Sequence, residues 1–376
     1  MGESKEILVF FESFAELPDP RRAQGQRHKL LEILFIALSA VLCGADDFIE
    51  MEEFGHSRES WLRQYLELPH GIPSHDTFGR VFALLQPAAF EESFLKWARQ
   101  LVELQPKEVV AIDGKTVRRS QDRSRGSEAI HVVSAWAREN RLTLGEVKVS
   151  DKSNEIRAVP QLLKMLELKN CIVTADAMNC QKEIASEVRE AGADYVLCLK
   201  DNHPTLHKEV ERVFKAIEED RTSGFTISRT STLDKEHGRI EERRYCQINA
   251  PDYLYGYEEW ADLKSIGMVE SDREVEGKRS VERRYFLSSL EVEAEMFSGA
   301  VRGHWSIENS CHWVLDVVFR EDHSRVRAGH AAENFARLRK IGNNLLQHDK
   351  SVKRGVKAKR FKAALDHSYL LKILTA

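Results

Sequence analysis

The sequence predicts a mixed α/β fold that follows a helical region and contains a β-rich insertion. Apolar residues at helical spacing fill roughly the first hundred positions. After Pro106, short strand-like segments alternate with helix-like ones, which is typical of a mixed sheet covered by helices. Two stretches of alternating residues, 225–248 and 264–290, then precede a last long helix. The length of 376 residues predicts two or three domains.

The N-terminal region is predicted to be helical. Its apolar spacing predicts helices over 29–43, 48–68, 76–85 and 90–104. Ser74 is a candidate N-cap for the third of these helices. Short helices joined by turns fit a helix-turn-helix-like DNA reader, and they fit a plain helical packing module equally well.

The sheet core is predicted after Pro106. Its strand-like segments are 108–113, 131–138, 142–149, 171–175 and 195–200. Asn140 and Arg141 predict a hairpin turn between the second and third strands. Helices are predicted over 154–168, where Pro160 requires a kink or a first turn, and over 181–191.

The rest of the chain adds an insertion, a late helix and a basic end. A polar helix over 202–219 precedes the alternating stretches, and a long helix runs from Ala294 to about Phe319. We predict five parts: a helical N-terminal domain that is a candidate binder of DNA ends (1–105), the first part of the sheet core (106–200), a helix with the β-rich insertion (201–292), the helix that completes the core (293–335) and a basic C-terminal segment (336–376).

Charge is distributed unevenly along the chain. The 56 Lys and Arg residues against 60 Asp and Glu residues give a formal net charge of −4. Between Arg337 and Lys362, however, basic residues face a single acid, Asp349, and this segment carries a net charge of +9. A second basic stretch is KTVRRSQDRSR at 115–125. Such clusters are typical of a surface that binds a phosphate backbone, and a solvated tail or loop explains them equally well.

Cysteine usage and the apolar runs indicate a compartment. The six cysteines are scattered without a CxxC pair, which indicates reduced thiols and not a disulfide framework or a zinc cluster. The first residues carry acids where a signal peptide would carry a basic stretch. The longest apolar run, 30–43, has 14 residues and includes Glu32, so it is too short to span a membrane. We therefore expect a cytoplasmic protein without a membrane partner.

Two aspartates end predicted strands of the core. Asp113 follows the first strand and Asp176 the fourth, and the ends of neighbouring strands meet at one edge of a sheet. A third acid from the late helix would complete a site for Mg²⁺ or Mn²⁺, because these cations prefer oxygen ligands. Two such ions promote phosphodiester cleavage. Taken singly, each aspartate also has a structural explanation: Asp113 as a turn residue before Gly114, and Asp176 as the N-cap of the next helix.

The late helix offers several candidates for the third carboxylate. They are Glu308, Asp316, Glu321 and Asp322. Glu308 and His312 are spaced i and i+4 and share a helix face with His304, which favours Glu308 modestly. His312 is better explained as a structural residue than as a Mg²⁺ ligand.

Three segments resemble the signature blocks of insertion-sequence DDE transposases of the H repeat-associated subgroup. They are VVAIDGKTVRRS, IVTADAMNCQ and RGHWSIENSCHWVLDVVFREDHSRVR, and the resemblance extends over nearly the whole chain, including GIPSHDTFGRVFALLQP. It implies a ribonuclease H-like core with a β-rich insertion before the last catalytic helix. It also identifies Asp113, Asp176 and Glu308 as the metal-binding triad. The implied cofactor is Mg²⁺, as two ions that Mn²⁺ can replace.

The resemblance further implies a function and partners, and the sequence departs from the family pattern at one point. The implied reaction is cleavage at element ends followed by transfer of the 3′-hydroxyl to target DNA, with a homodimer holding the synapsed ends. Many relatives carry a Tyr and an Arg before the Glu and a Lys seven residues after it. Here His304 lies four residues before Glu308 and Leu315 lies seven residues after it. The segments HWSIEN and LDVVF thus occupy the positions where those relatives carry the Tyr, Arg and Lys. The departure puts the wider family's DNA contacts in doubt and leaves the triad intact.

Charge and position select candidate DNA contacts around this triad. They are Lys115, Arg118, Arg119, Lys200, Arg302, His304, Arg325 and Arg327. Two alternatives to a transposase remain open. One is a structure-selective nuclease of the same fold that cannot join strands, and the other is an inactive DNA-binding relic.

Overall fold

The computed structural model describes residues 7–101, 104–121, 129–149, 154–236 and 239–375. The chain forms two compact units. Unit 1 comprises 1–103, 114–154 and 308–376, and unit 2 comprises 104–113 and 155–307. Strand β1 (Val109–Val117) runs through both, since the boundary falls after Asp113. The predicted limit at 335 falls inside a helix of unit 1.

Unit 1 begins with six helices. They are α1 (Ile7–Phe14), α2 (Leu30–Leu42), α3 (Phe48–Ser57), α4 (Glu59–Leu62), α5 (His75–Leu84) and α6 (Pro87–Leu101). Helix α2 is buried on nearly every face because it is apolar all round. The helix predicted over 48–68 is interrupted at Arg58. Ser74 does precede α5, but its hydroxyl lies 3.2 Å from the Thr77 hydroxyl and caps no backbone N–H.

In its described residues, the second half of unit 1 contains a hairpin, a single π-helical turn and four α-helices. Strands β2 (Ile130–Ala137) and β3 (Leu142–Val149) pair antiparallel, and Arg141 takes a left-handed φ of 56° in their turn. After the hairpin and a single π-helical turn (Glu308–His312) come α11 (Trp313–Val317), α12 (Ala331–His348), α13 (Val356–Leu365) and α14 (His367–Leu374). The predicted hairpin turn at Asn140 and Arg141 is therefore present.

The basic C-terminal segment is not a solvated surface throughout. Arg337, Arg339, Lys340, Lys359 and Arg360 are all buried. Their charges are compensated within unit 1. The Arg337 guanidinium lies 2.5 Å from Glu91 and 3.2 Å from Glu146, Lys340 pairs with Glu146, and Arg360 donates to the Val41 carbonyl at 2.9 Å. Half of the positive charge of this segment thus stabilises helix packing and cannot face a phosphate backbone.

Unit 2 is built on a sheet with helices. Its strands are β4 (Ile172–Ala175), β5 (Asp194–Leu199), β6 (Ile227–Glu236), β7 (Arg239–Asn249), β8 (Ser265–Val275) and β9 (Lys278–Ser288). Its helices are α7 (Glu155–Lys164), α8 (Lys182–Glu190), α9 (Pro204–Glu218) and α10 (Ala294–Ile307). Pro160 lies inside α7.

The β-rich insertion extends the core sheet. Within the residues that the structure describes, nine strands form a sheet in the order β3-β2-β1-β4-β5-β9-β8-β7-β6. Strands β1, β4 and β5 are parallel neighbours, and β9 then pairs antiparallel with β5. The order of the first five strands is that of the ribonuclease H-like core. The sequence predicted the insertion but did not predict that its last strand continues this sheet.

Helix α10 closes the apolar core of unit 2. Phe297 is fully buried in a cluster with Val109, Ile172, Val196 and Phe286, which belong to four different strands. Gly267 of β8 lies directly beneath the Phe297 ring, so no larger side chain fits there. The packing fixes α10 against the strands that carry the two predicted catalytic aspartates.

Among the helices of the described residues, none combines the length and the apolar character that a membrane crossing requires.

Candidate active site

Asp113 and Asp176 occupy matching positions on neighbouring strands of unit 2. The parallel pairing of β1 and β4 ends with Ile112 opposite Ala175. Asp113 is the next residue of β1, which continues to Val117 and does not end at Asp113 as predicted, and Asp176 is the first residue after β4. Residues in register on adjacent strands lie about 5 Å apart and project from the same face of the sheet. The pairing shows that β1 and β4 are neighbours, which is the condition on which the predicted meeting of the two carboxylates depends, and that meeting stays a prediction.

Asp176 is held by a turn that the sequence analysis missed. Its Oδ1 accepts hydrogen bonds from the Asn179 backbone N–H at 3.1 Å and from Asn179 Nδ2 at 3.0 Å. Asn179 is fully buried and also donates to Glu155 at 3.3 Å. The carboxylate is therefore oriented by its own loop, with its other oxygen outside these two bonds. An Asp followed three residues later by Asn was the available signal, because this spacing forms a local side-chain turn.

Helix α10 approaches the same face of β4. His304 Nδ1 lies 3.1 Å from the hydroxyl of Thr174. Thr174 and Asp176 are two residues apart on the strand path, so their side chains project to the same face. His304 therefore contacts unit 2's own strand and is partly exposed, and its role as a DNA contact stays a prediction.

Glu308 follows α10 directly in the chain and begins the π-helical turn of unit 1. Its carboxylate accepts a hydrogen bond from His312 Nδ1 at 3.1 Å. This hydrogen bond holds the pKa of Glu308 below its ordinary value, against the opposing effect of partial burial. The Glu308 side chain is 56% exposed and His312 only 5%. His312 thus has the expected structural role, because its ring fixes the orientation of the solvent-accessible Glu308 carboxylate.

Lys115 does not extend towards solvent. Its ammonium binds Asp316 at 2.5 Å and also binds Glu321, and the side chain is 11% exposed. Burial alone would lower the pKa of Lys115, but the Glu321 charge and the two hydrogen bonds raise it above its ordinary value. This contact departs from the prediction that Lys115 lines a DNA channel. It also engages two of the alternative third carboxylates, Asp316 and Glu321, in an ion pair.

The other predicted DNA contacts are exposed, and three of them also contact a neighbouring residue of their own unit. Arg302 lies 3.2 Å from Asp234 of unit 2, and Arg327 Nε donates to the Arg119 carbonyl at 2.9 Å. Arg118 is largely exposed although its guanidinium lies 3.6 Å from Asp322. The exposed set is Arg118, Arg119, Lys200, Arg302, Arg325 and Arg327. Their side chains remain accessible to a ligand.

The donor chemistry of the predicted triad fits a divalent cation. Asp113, Asp176 and Glu308 offer carboxylate oxygens, which are the ligands that Mg²⁺ and Mn²⁺ take in proteins. A glutamate of ordinary pKa is already ionised at neutral pH, as a metal ligand must be, and the lowered pKa of Glu308 extends its ionisation to lower pH.

Family comparisons cover almost all of the chain. Residues 11–98 match the family described as "DDE_Tnp_1-associated", and residues 104–345 match the family "Transposase DDE domain". "Putative transposase YncI" of Escherichia coli O157:H7 is 42% identical, with 98% of this chain and 95% of the relative covered. "H repeat-associated putative transposase YhhI" of Escherichia coli strain K12 is 40% identical, with 98% of each covered.

One relative and one solved structure complete the comparison. A shorter relative in strain K12, "Inactive transposase YbfQ", is 38% identical over 76 residues, which are 20% of this chain and 90% of the relative. The structure of a piggyBac transposase synaptic complex with hairpin DNA aligns with a TM-score of 0.47 and 13% identity, covering 99% of this chain and 79% of the other. The two family matches and the full-length relatives show that the chain belongs to the DDE transposases, in the H repeat-associated group.

Proposed function

We propose that the protein is an active DNA transposase that uses Asp113, Asp176 and Glu308 to cleave phosphodiester bonds at element ends and to transfer the 3′-hydroxyl to target DNA. The observation that supports it best is the register of β1 and β4, which ends at Ile112 and Ala175 and leaves two aspartates as the next residues. Family membership supplies the reaction class.

Different residues of the chain would bind the metal, orient its ligands and contact the DNA. The three carboxylates would bind Mg²⁺, which supplies charge stabilisation for the attacking and leaving oxygens of a phosphodiester when bound. Asn179 orients Asp176 and His312 orients Glu308, so that neither carboxylate must be ordered during the reaction. Arg118, Arg325 and Lys200 are exposed cations suited to contact the DNA backbone.

The test is cleavage of DNA that carries the sequences flanking this gene, in Mg²⁺ and in Mn²⁺. Asp113→Asn, Asp176→Asn and Glu308→Gln are each expected to lower the cleavage rate by at least about a thousandfold, because each removes one anionic ligand. Glu295→Gln is the matched control, since Glu295 is exposed in the first turn of α10. The proposal fails if the triad variants cut as fast as the parent.

Two further outcomes separate the alternatives. A supplied donor with a labelled 3′-hydroxyl yields a joined product only if the protein transfers strands, and a nuclease would cut without joining. A protein that binds the end sequences but is inert in both metals would be a relic. We expect joined products, and we expect two DNA ends in the active complex, which gel analysis with ends of two lengths would detect.

A further inference from the structure

A groove in unit 1 begins at the residue after Glu308. It has a volume of about 830 Å³ and is lined on the side of the π-helical turn and α11 by Asn309, Ser310, Trp313 and Val317. Most of the rest of the lining comes from Arg141 in the turn between β2 and β3, from the segment between α12 and α13, and from the adjoining ends of these two helices, and much of it is cationic.

The cations of the groove are available for a ligand. Arg141, Lys353, Arg354 and Lys357 line it, and all four are exposed. Within the described part of the chain, no carboxylate lies within ion-pair distance of these four side chains. The one acid in the lining, Asp349, already accepts hydrogen bonds from Tyr369 at 2.8 Å and Ser351 at 2.5 Å, and it lies 3.7 Å from Lys359. The groove is therefore strongly positive.

An aromatic surface lies among these cations. The Trp313 side chain is 54% exposed, and Val317, one turn further along the same helix face, is 52% exposed. An exposed indole beside several cations is the combination that single-stranded DNA binding uses, because the cations follow the phosphates while a base stacks on the ring. The bases of an intact duplex are already stacked on each other, so a base must leave the helix to reach Trp313.

We propose that this groove binds a single-stranded segment of DNA, with one unpaired base stacked on Trp313 and its phosphates on Lys353, Arg354 and Lys357. The inference rests on the proposed function for the identity of the nucleic acid. Asn309, which lines the groove, is the next residue after Glu308 in the chain, whereas Glu308 itself is not among the lining residues. The groove therefore begins one residue along the chain from the residue proposed to act in cleavage.

The experiment uses the full chain and a fluorescent twenty-nucleotide oligo-dT, with a duplex of equal length for comparison, without metal. Trp313→Ala is expected to weaken oligo-dT binding about tenfold or more and to change duplex binding far less. Trp313→Phe, which keeps a ring, should restore most of the affinity. Tyr253→Ala is the matched control, because Tyr253 is an aromatic residue at least as exposed as Trp313 and lies outside the groove lining. Equal oligo-dT binding by Trp313→Ala and the parent would overturn the proposal.

A charge variant gives an independent readout that does not require the indole. Lys353→Gln with Arg354→Gln should lower the salt dependence of oligo-dT binding, reducing the slope of log K against log salt by about 1.4 for two lost phosphate contacts. An unchanged slope would refute the phosphate contacts. Loss of self-association of Trp313→Ala in sedimentation velocity, with oligo-dT binding intact, would instead make the face a subunit contact and refute the proposal.

Failure of the groove and failure of the proposed function are distinguishable. Asp176→Asn should bind oligo-dT like the parent while losing cleavage, because Asp176 belongs to unit 2 and does not line the groove. If Asp176→Asn keeps cleavage, the proposed function fails whatever the groove binds. If Asp176→Asn loses cleavage while the groove variants bind normally, only the groove proposal fails.

Discussion

Replacing Lys115 by Met tests whether this residue stabilises unit 1 or contacts DNA. Met keeps much of the aliphatic volume but leaves the Glu321 carboxylate, which is 1% exposed, without its main cation. Removing one partner of a buried ion pair costs about 3–5 kcal/mol. Asp316 is 30% exposed and can recover water, so we expect the lower end, about 3 kcal/mol.

Urea unfolding followed by tryptophan fluorescence measures this cost. Four of the six tryptophans lie in unit 1, namely Trp61, Trp97, Trp136 and Trp313. With a slope of about 2–3 kcal/mol per molar urea, the midpoint should fall by about 1 M. The double variant Lys115→Met with Glu321→Leu should regain most of the loss, because no buried charge is left unpaired. A single variant within about 0.2 M of the parent midpoint would refute the reasoning.

The pH dependence of this loss has a definite sign. Burial raises the pKa of Glu321, but the charges of Lys115, Arg339 and Lys340 together with the Lys115 hydrogen bond outweigh burial and hold the pKa below the ordinary value of 4.5. A depressed carboxyl pKa stabilises the fold above the unfolded-state value and loses that stabilisation as the pH falls through the folded-state value. Without Lys115 the carboxyl would protonate at higher pH, so the gap between Lys115→Met and the parent should narrow on acidification from pH 7.

Two further substitutions test packing in each unit. Arg360→Met in unit 1 removes the hydrogen bonds to the Val41 carbonyl at 2.9 and 3.0 Å. We expect this variant to lose about 3 kcal/mol of unfolding free energy in the urea experiment. The control Lys357→Met, at an exposed position, should change the unfolding free energy by less than about 0.5 kcal/mol. In unit 2, Gly267→Ala places a methyl group against the Phe297 ring, and the displaced ring should cost about 1–3 kcal/mol, visible as a lower thermal midpoint. A Gly267→Ala protein as stable as the parent would mean that the ring has room to move.

Local patterns predicted the core strands, although β1 continues past Asp113 to Val117. The parallel pairing of β1 and β4, on which the proximity of Asp113 and Asp176 depends, is a tertiary contact that local patterns left open. The burial of Arg337 and Lys340 was not predictable in this way. Their partner Glu146 lies nearly 200 residues away in sequence, and a basic residue on a helix has the same local pattern whether it faces water or a buried acid.

The side-chain orientation of the site residues could also not be predicted from the sequence. Whether Lys115 points to solvent or to Glu321 depends on where the chain after α11 returns, which is a tertiary contact. The π-helical turn at Glu308–His312 likewise changes which side chains share a face, and helical spacing assumes that no such turn occurs. By contrast, the i, i+4 spacing of Glu308 and His312 correctly predicted their proximity.

The antiparallel pairing of β5 with β9 limits how this protein could be shortened. Residues 196–199 of β5 are apolar or cysteine, and β9 satisfies their backbone through Ser288, Leu287, Phe286 and Tyr285. Deleting the insertion would turn β5 into a bare, apolar edge strand, the kind that recruits other chains. The present edge, β6, instead carries Arg229, Asp234 and Lys235, charges that discourage such pairing. A minimal catalytic core without residues 226–290 is therefore expected to aggregate, and truncated relatives that lack this segment would need another cover for that edge.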